Sequence, residues 1–180
     1  MSARITINSE EGPREVVVPS VGGEPVVIPL VRALVQRGDG AVLLQKRAKP
    51  GEPVFGRWEL PGGRWTAGET AETVIRREVA EETGLTVTRV DGVIARPDAL
   101  GTHEVLSPVV VVTGAEGRFP LHTTVVRVYV TGVPRPLSGE TSDPTWMSPE
   151  AVRALLEADR AACVPNCAAI LDALVTAGEL

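Results

Sequence analysis

Aromatic residues are scarce in this chain: three tryptophans, two phenylalanines and one tyrosine make up 3% of its 180 residues. A pocket for a nucleobase usually wants an aromatic face, so any such pocket has few rings to draw on here. Cysteine is nearly missing. The two present, Cys163 and Cys167, lie in an Ala-rich apolar segment and read as reduced packing residues rather than as a disulfide or metal pair. No apolar run approaches the length of a membrane span, and the opening Met1-Ser-Ala-Arg4 has no apolar core or cleavage pattern. The expectation is therefore no membrane partner and a cytoplasmic location. An excess of basic charge is also lacking, since 18 Lys and Arg face 23 Asp and Glu for a net charge of −5. That balance argues against a long nucleic acid as partner. A small phosphorylated ligand stays compatible, because acidic groups can recruit divalent cations that neutralise phosphates.

What is present suits one globular domain: 43% hydrophobic and 23% charged residues, in a chain long enough to bury a proper core. Residues 1–25 read as an N-terminal extension in which Arg4 to Asn8 and Glu15 to Val18 can form a hairpin. Residues 26–180 read as a single domain that includes the C-terminal helices. Val26 to Gln36 and Ala41 to Arg47 are β-branched, strand-like runs, and Arg37-Gly-Asp-Gly40 between them predicts a hairpin. Lys49 to Arg57 is a Pro- and Gly-rich loop leading to a short strand, Trp58-Glu-Leu60. Three more extended runs follow, Leu85 to Ala95, Val105 to Thr113 and Thr123 to Thr131. Ser148-Pro149-Glu150 opens a helix with Val152, Leu155 and Leu156 as its stripe, and another starts at Pro165, with Gly178 closing it.

The best-defined helix runs from Thr70 to Thr83, where Ala71, Val74, Ile75 and Val79 recur at helical spacing and Gly84 suits the left-handed C-terminal position. Glu78, Glu81 and Glu82 stand at i, i+3 and i+4, so three carboxylates share one face. Like charges that close weaken a helix unless positive charge sits among them. Oxygen ligands with no histidine or thiolate nearby favour Mg²⁺ or Mn²⁺. Ahead of the helix, Pro61-Gly-Gly63 lets the backbone turn tightly and approach a ligand.

From Gly63 to Leu85 the chain reads GRWTAGETAETVIRREVAEETGL. It satisfies G-x5-E-x7-R-E-U-x-E-E-x-G-U, with U aliphatic, at every fixed position: Gly63, Glu69, Arg77, Glu78, Val79, Glu81, Glu82, Gly84 and Leu85. Nine such coincidences have a chance probability on the order of 10⁻⁹ per starting position. The segment resembles the signature of the Nudix hydrolase family. Trp58-Glu-Leu-Pro-Gly-Gly63 and Trp146-Met-Ser148-Pro149-Glu150 are similar to further family features, so the likeness covers roughly residues 26 to 158.

The resemblance implies an α+β fold, an α/β/α sandwich around a mixed central β-sheet, and a Mg²⁺- or Mn²⁺-dependent pyrophosphohydrolase acting on a small nucleotide. Such a substrate is a nucleoside triphosphate or a nucleotide sugar. It further implies that Glu78, Glu81 and Glu82 bind the metal, with Glu78 also a candidate base, and that Arg77 and Glu69 orient the cluster. The Gly62 carbonyl is a further implied ligand, and Glu140, preferred over Asp143, a fourth carboxylate. Family members are often dimers, so a homodimer is among the assemblies it allows. From residue type and position, Arg47, Lys46 and Arg57 are candidates for binding phosphates remote from the metal. Phe55, Trp58 and Trp65 are the rings nearest the motif, with Trp58 the one placed at the substrate. His103 and His122 read as strand-end residues ahead of general bases. The alternatives are a non-catalytic nucleotide sensor, in which the motif would be expected to decay, and an isopentenyl diphosphate isomerase-like enzyme, for which no suitable cysteine and glutamate stand beside the motif.

Overall fold

A computed structural model of the chain describes residues 2–9, 12–95, 104–116 and 119–180. His103 lies outside them. Along the chain come β1 (Ser2–Ser9), β2 (Gly12–Val21), β3 (Glu24–Pro25), β4 (Ile28–Val35), β5 (Val42–Arg47), β6 (Trp58–Glu59) and β7 (Gly62–Arg64). Then follow α1 (Ala71–Thr83), β8 (Thr86–Val90), β9 (Val93–Ala95), β10 (Val105–Leu106), β11 (Val110–Glu116), β12 (Phe119–Thr131), β13 (Thr141–Met147), α2 (Pro149–Asp159) and α3 (Pro165–Thr176). β1 and β2 pair antiparallel from Ser2 opposite Pro19 to Ser9 opposite Gly12. Among the described residues no helix is long and apolar enough to cross a membrane.

The central sheet is mixed. β4 runs parallel to β12, from Ile28 opposite Leu121 to Val35 opposite Val128, while β11, β8 and β7 join antiparallel. Side chains alternate across a strand, and β4 is apolar on both sides. Val31, Ala33 and Val35 pack with Val74, Ile75 and Val79 of α1, whereas Leu34 packs with Ile170, Leu171 and Leu174 of α3. Helices therefore cover both faces, the α/β/α arrangement.

One expectation is corrected. The turn at Arg37-Gly-Asp-Gly40 forms, with the Gly40 N–H donating to the Arg37 carbonyl at 2.9 Å and a single bridge between Gln36 and Val42, but β4 and β5 do not continue as a hairpin. β5 leaves to pair with β13 and β6 in a separate three-stranded sheet. A turn fixes only the residues beside it. Both edges of β4 are taken by more distant strands, β12 and β7, and β12 alone supplies eight register pairs.

Candidate active site

α1 is anchored by its own sequence. The Thr70 hydroxyl accepts a bond from the Thr73 N–H at the N-terminus, and Gly84 adopts a φ of 68° at the other end. Because Val74, Ile75 and Val79 are fully buried against the sheet, rotation of the helix about its axis is fixed. Glu78 and Glu82 are thereby turned towards β7. Glu78 lies so close over Gly63 that a Cβ built there would sit 2.2 Å from Glu78 Oε1. Gly62, with φ of 133°, has the Val31 carbonyl oxygen where a Cβ would go. Close packing of strand, turn and carboxylate thus requires both glycines.

Glu82 is 6% exposed. Its Oε2 accepts from the Gly62 N–H at 2.9 Å and from Gln45 Nε2 at 2.8 Å. Burial pushes this carboxyl up to about 7, against the opposing pull of the Arg32 charge and of the two donors. Both bonds engage the same oxygen, so Oε1 stands outside them. Gln45 itself is fully buried.

Arg77 gathers the remaining acids. Its guanidinium lies 3.2 Å from Glu69 Oε1, 2.7 Å from Glu78 Oε1 and 3.6 Å from Glu81 Oε2. The Glu69 carboxyl is held below its usual range first by the Thr66 hydroxyl and then by Arg77. Trp65 Nε1 donates to the Glu69 carbonyl at 2.8 Å and so braces the start of the helix. Glu81 is the outlying member, with a side chain 58% exposed. Among the described residues no three His, Cys, Asp or Glu side chains stand together as a ready metal site. The charge of the glutamates is balanced instead by arginine.

Beside them opens a cavity of about 560 Å³. One wall carries Glu78, Glu82, Gly62 and Gly63, and Arg32, Arg47, Lys49 and Arg64 contribute positive charge. Ile28, Leu30, Val54, Leu121 and Val164 provide an aliphatic flank. Of the positions expected from sequence, Glu78, Glu82, Gly62, Arg47 and Glu140 line this cavity, while Glu81, Glu69, Arg77, Arg57 and Trp58 do not. Glu140 is 3.3 Å from Lys49 Nζ and 3.9 Å from Arg47 Nη1. Arg47 pairs more closely with Glu52, at 2.6 Å, a bond that pulls the Glu52 carboxyl down. Trp58 lies under Lys46, whose Nζ is 4.9 Å from the ring centre and 3.3 Å from Asp143. Phe55 is exposed, and His122 projects from β12 into solvent.

Three residues escaped the sequence reading. Glu59, 2% exposed, sits between Arg32 at 3.4 Å and Arg47 at 3.7 Å. Arg32 and Gln45 complete the group. For two of them a signal was available: Arg32 lies between Leu30 and Leu34 and Gln45 follows Leu43, all inward-facing at i±2, whereas the two-residue strand of Glu59 carries no such pattern.

The NUDIX domain model matches residues 28–167, most of the chain. The protein belongs to the NUDIX family. Among curated proteins, it is 54% identical over 46 residues to one of Mycobacterium tuberculosis named "Putative 8-oxo-dGTP diphosphatase 2", covering 26% of this chain and 32% of that protein. It is 47% identical over 57 residues to a MutT-like protein of Streptomyces ambofaciens, covering 32% of this chain and 34% of that one. These matches span about a third of the relatives' lengths. In fold, it is similar to the MutT protein of Methanosarcina mazei Go1, with a TM-score of 0.63, 22% identity, and coverage of 89% of this chain and 100% of that one. The ORF135 protein of E. coli follows at a TM-score of 0.61 and 22% identity, covering 88% and 94%.

Proposed function

We propose that the protein is a divalent-cation-dependent pyrophosphohydrolase that cleaves the diphosphate linkage of a nucleoside diphosphate derivative, and that a nucleoside triphosphate is favoured over a nucleotide sugar. The observation that carries the reading is one cavity lined both by Glu78 and Glu82 and by Arg32, Arg47, Lys49 and Arg64. Carboxylates and cations around one space suit a metal-bridged polyphosphate. The name of the mycobacterial relative supports the triphosphate choice.

The donor set fits Mg²⁺ or Mn²⁺. Its atoms are hard oxygens, and Glu82, whose charged form burial disfavours, would be favoured as a carboxylate by a cation. Glu78, Glu82 and the Gly62 carbonyl would hold the ion, with Glu81 reaching in from outside the cavity and Glu140 of the cavity lining as a further oxygen. A cation bound there offsets charge on the phosphate oxygens and acidifies water. The protein's own groups do the rest. Arg47, Lys49 and Arg64 grip the phosphates, and ordering both reactants against one wall removes much of the entropic barrier. Glu78, packed on Gly63, is placed to accept the water proton. Arg77 balances Glu78 and Glu81, whose oxygens a bound cation would share with it. The aliphatic flank receives the remainder of the substrate.

The test is phosphate or nucleoside monophosphate release from nucleoside triphosphates, dinucleoside polyphosphates and nucleotide sugars with Mg²⁺. Glu78→Gln is expected to lose at least about 100-fold in turnover with its melting temperature retained. Nucleotide binding without release from any of these would replace the hydrolase reading with that of a sensor.

A further inference from the structure

Arg32 is an ion in an apolar row. On β4 the residues that share its side are Ile28, Leu30 and Leu34, and its own side chain is only 11% exposed. Burying a guanidinium is costly unless its donors are taken up. Its partners are specific. Nη1 donates to the Leu60 carbonyl at 2.9 Å and to the Gly62 carbonyl at 2.7 Å, and Nη2 lies 3.4 Å from Glu59 Oε2. The carbonyl between them, Pro61, accepts from the Ala33 N–H at 2.8 Å. Three consecutive carbonyls where the chain turns into β7 are thus held by two consecutive residues of β4. The other side of Gly62 meets the helix, because its N–H donates to Glu82 Oε2.

We propose that Arg32 is a positioning residue, which fixes the Leu60 to Gly62 turn and through the Gly62 N–H sets the direction in which Glu82 faces the cavity. The residue stands outside the motif and acts on it through the backbone. Gly62 has no side chain to hold it, and its φ of 133° is one that a free glycine leaves easily. Bonds at both its carbonyl and its N–H remove that freedom. A lysine would reach one carbonyl but not fork to two while keeping Glu59 paired.

The catalytic part of this inference rests on the proposed hydrolase activity, and the structural part does not. In the wild-type protein the Gly62 amide is expected to exchange with solvent at least about 100-fold more slowly than an open peptide, and an unprotected Gly62 overturns the proposal without any variant. In Arg32→Lys, and in Arg32→Gln should lysine not fold, the Gly62 amide resonance is expected to shift and its protection to fall. For a substrate that the wild type turns over, kcat is expected to fall about tenfold or more with KM nearly unchanged. An unmoved Gly62 amide overturns the proposal. So does a raised KM with kcat intact, which would make the guanidinium a substrate grip, or a lowered melting temperature with kcat and Gly62 unaltered. A wild type that hydrolyses nothing sinks the hydrolase reading alone, since the Gly62 measurement still decides what Arg32 does.

Discussion

At the scale of single residues, the two adjacent glycines of the turn are expected to fail in different ways. In Gly63→Ala the new methyl meets the Glu78 carboxylate, the end of a side chain that can swing away. Turnover should drop about 100-fold while the thermal melt moves little; a variant with wild-type turnover would mean that Glu78 does not work from this position. In Gly62→Ala the methyl meets the Val31 carbonyl at 2.3 Å and the Arg32 Cα at 2.9 Å, both backbone. Strand and turn must part, at a cost of about 3 kcal/mol read from a denaturant midpoint. Glu82 adds a pH dependence to the metal-free protein. Its carboxyl is raised from 4.5 to about 7, so the folded state holds a proton that the unfolded chain releases. The associated stability is fully present below about pH 4.5 and is lost as pH rises through 7, amounting to about 3 kcal/mol. Urea melts in EDTA at pH 5 and pH 8 should show this loss, and Glu82→Gln should flatten it; parallel slopes in both proteins would refute the assignment. The glutamates were legible in sequence because helical spacing alone puts them on one face. Arg32 and Gln45 could be read as inward-facing from their neighbours, but their partners, which lie far off in sequence, could not, and Glu59 sits in a two-residue strand that shows no alternation.

At the scale of elements, α1 is held more by its stripe than by its ends. Removing the Thr70 hydroxyl in Thr70→Ala costs one capping bond, about 1 kcal/mol. Ile75→Ala empties a fully buried position and should cost about 3 kcal/mol. Chemical denaturation of both orders the two contributions, and the reverse order would show that the helix is anchored at its cap. The bounds of α1 were readable because cap, stripe and terminal glycine all lie within fifteen or so residues of sequence. α2 and α3 were readable from less, an apolar stripe and a proline in the first turn of each, with the Ser148 hydroxyl capping α2. The strands were recognised as strands but not as neighbours. A turn between β4 and β5 suggested a pair, and the pairing was decided by β12, β7 and β13, whose claims no local signal carries.

At the scale of the whole molecule, the cavity joins groups from β4, β5, the loop after it, β7, α1 and the loop before β13, so a ligand there ties distant parts together. Mg²⁺ is accordingly expected to raise the melting temperature in a concentration-dependent manner, by about 3 kcal/mol of stability at a hundred times its dissociation constant. Glu78→Gln should lose most of that gain, and an equal rise in both proteins would place the ion elsewhere. The parallel pairing of β4 with β12 has a consequence for how the molecule comes into being. β4 must wait for a partner that begins roughly 90 residues later, and closing so long a loop is entropically slow. During synthesis α1 emerges while the strand beside β4 is still unmade. Its apolar stripe then lacks Val126 and Val128, which complete the floor beneath it. Completion of the acidic wall is therefore expected late in folding, because a nascent chain that ends before residue 128 has Val31, Ala33 and Val35 beneath the helix but not yet Val126 and Val128.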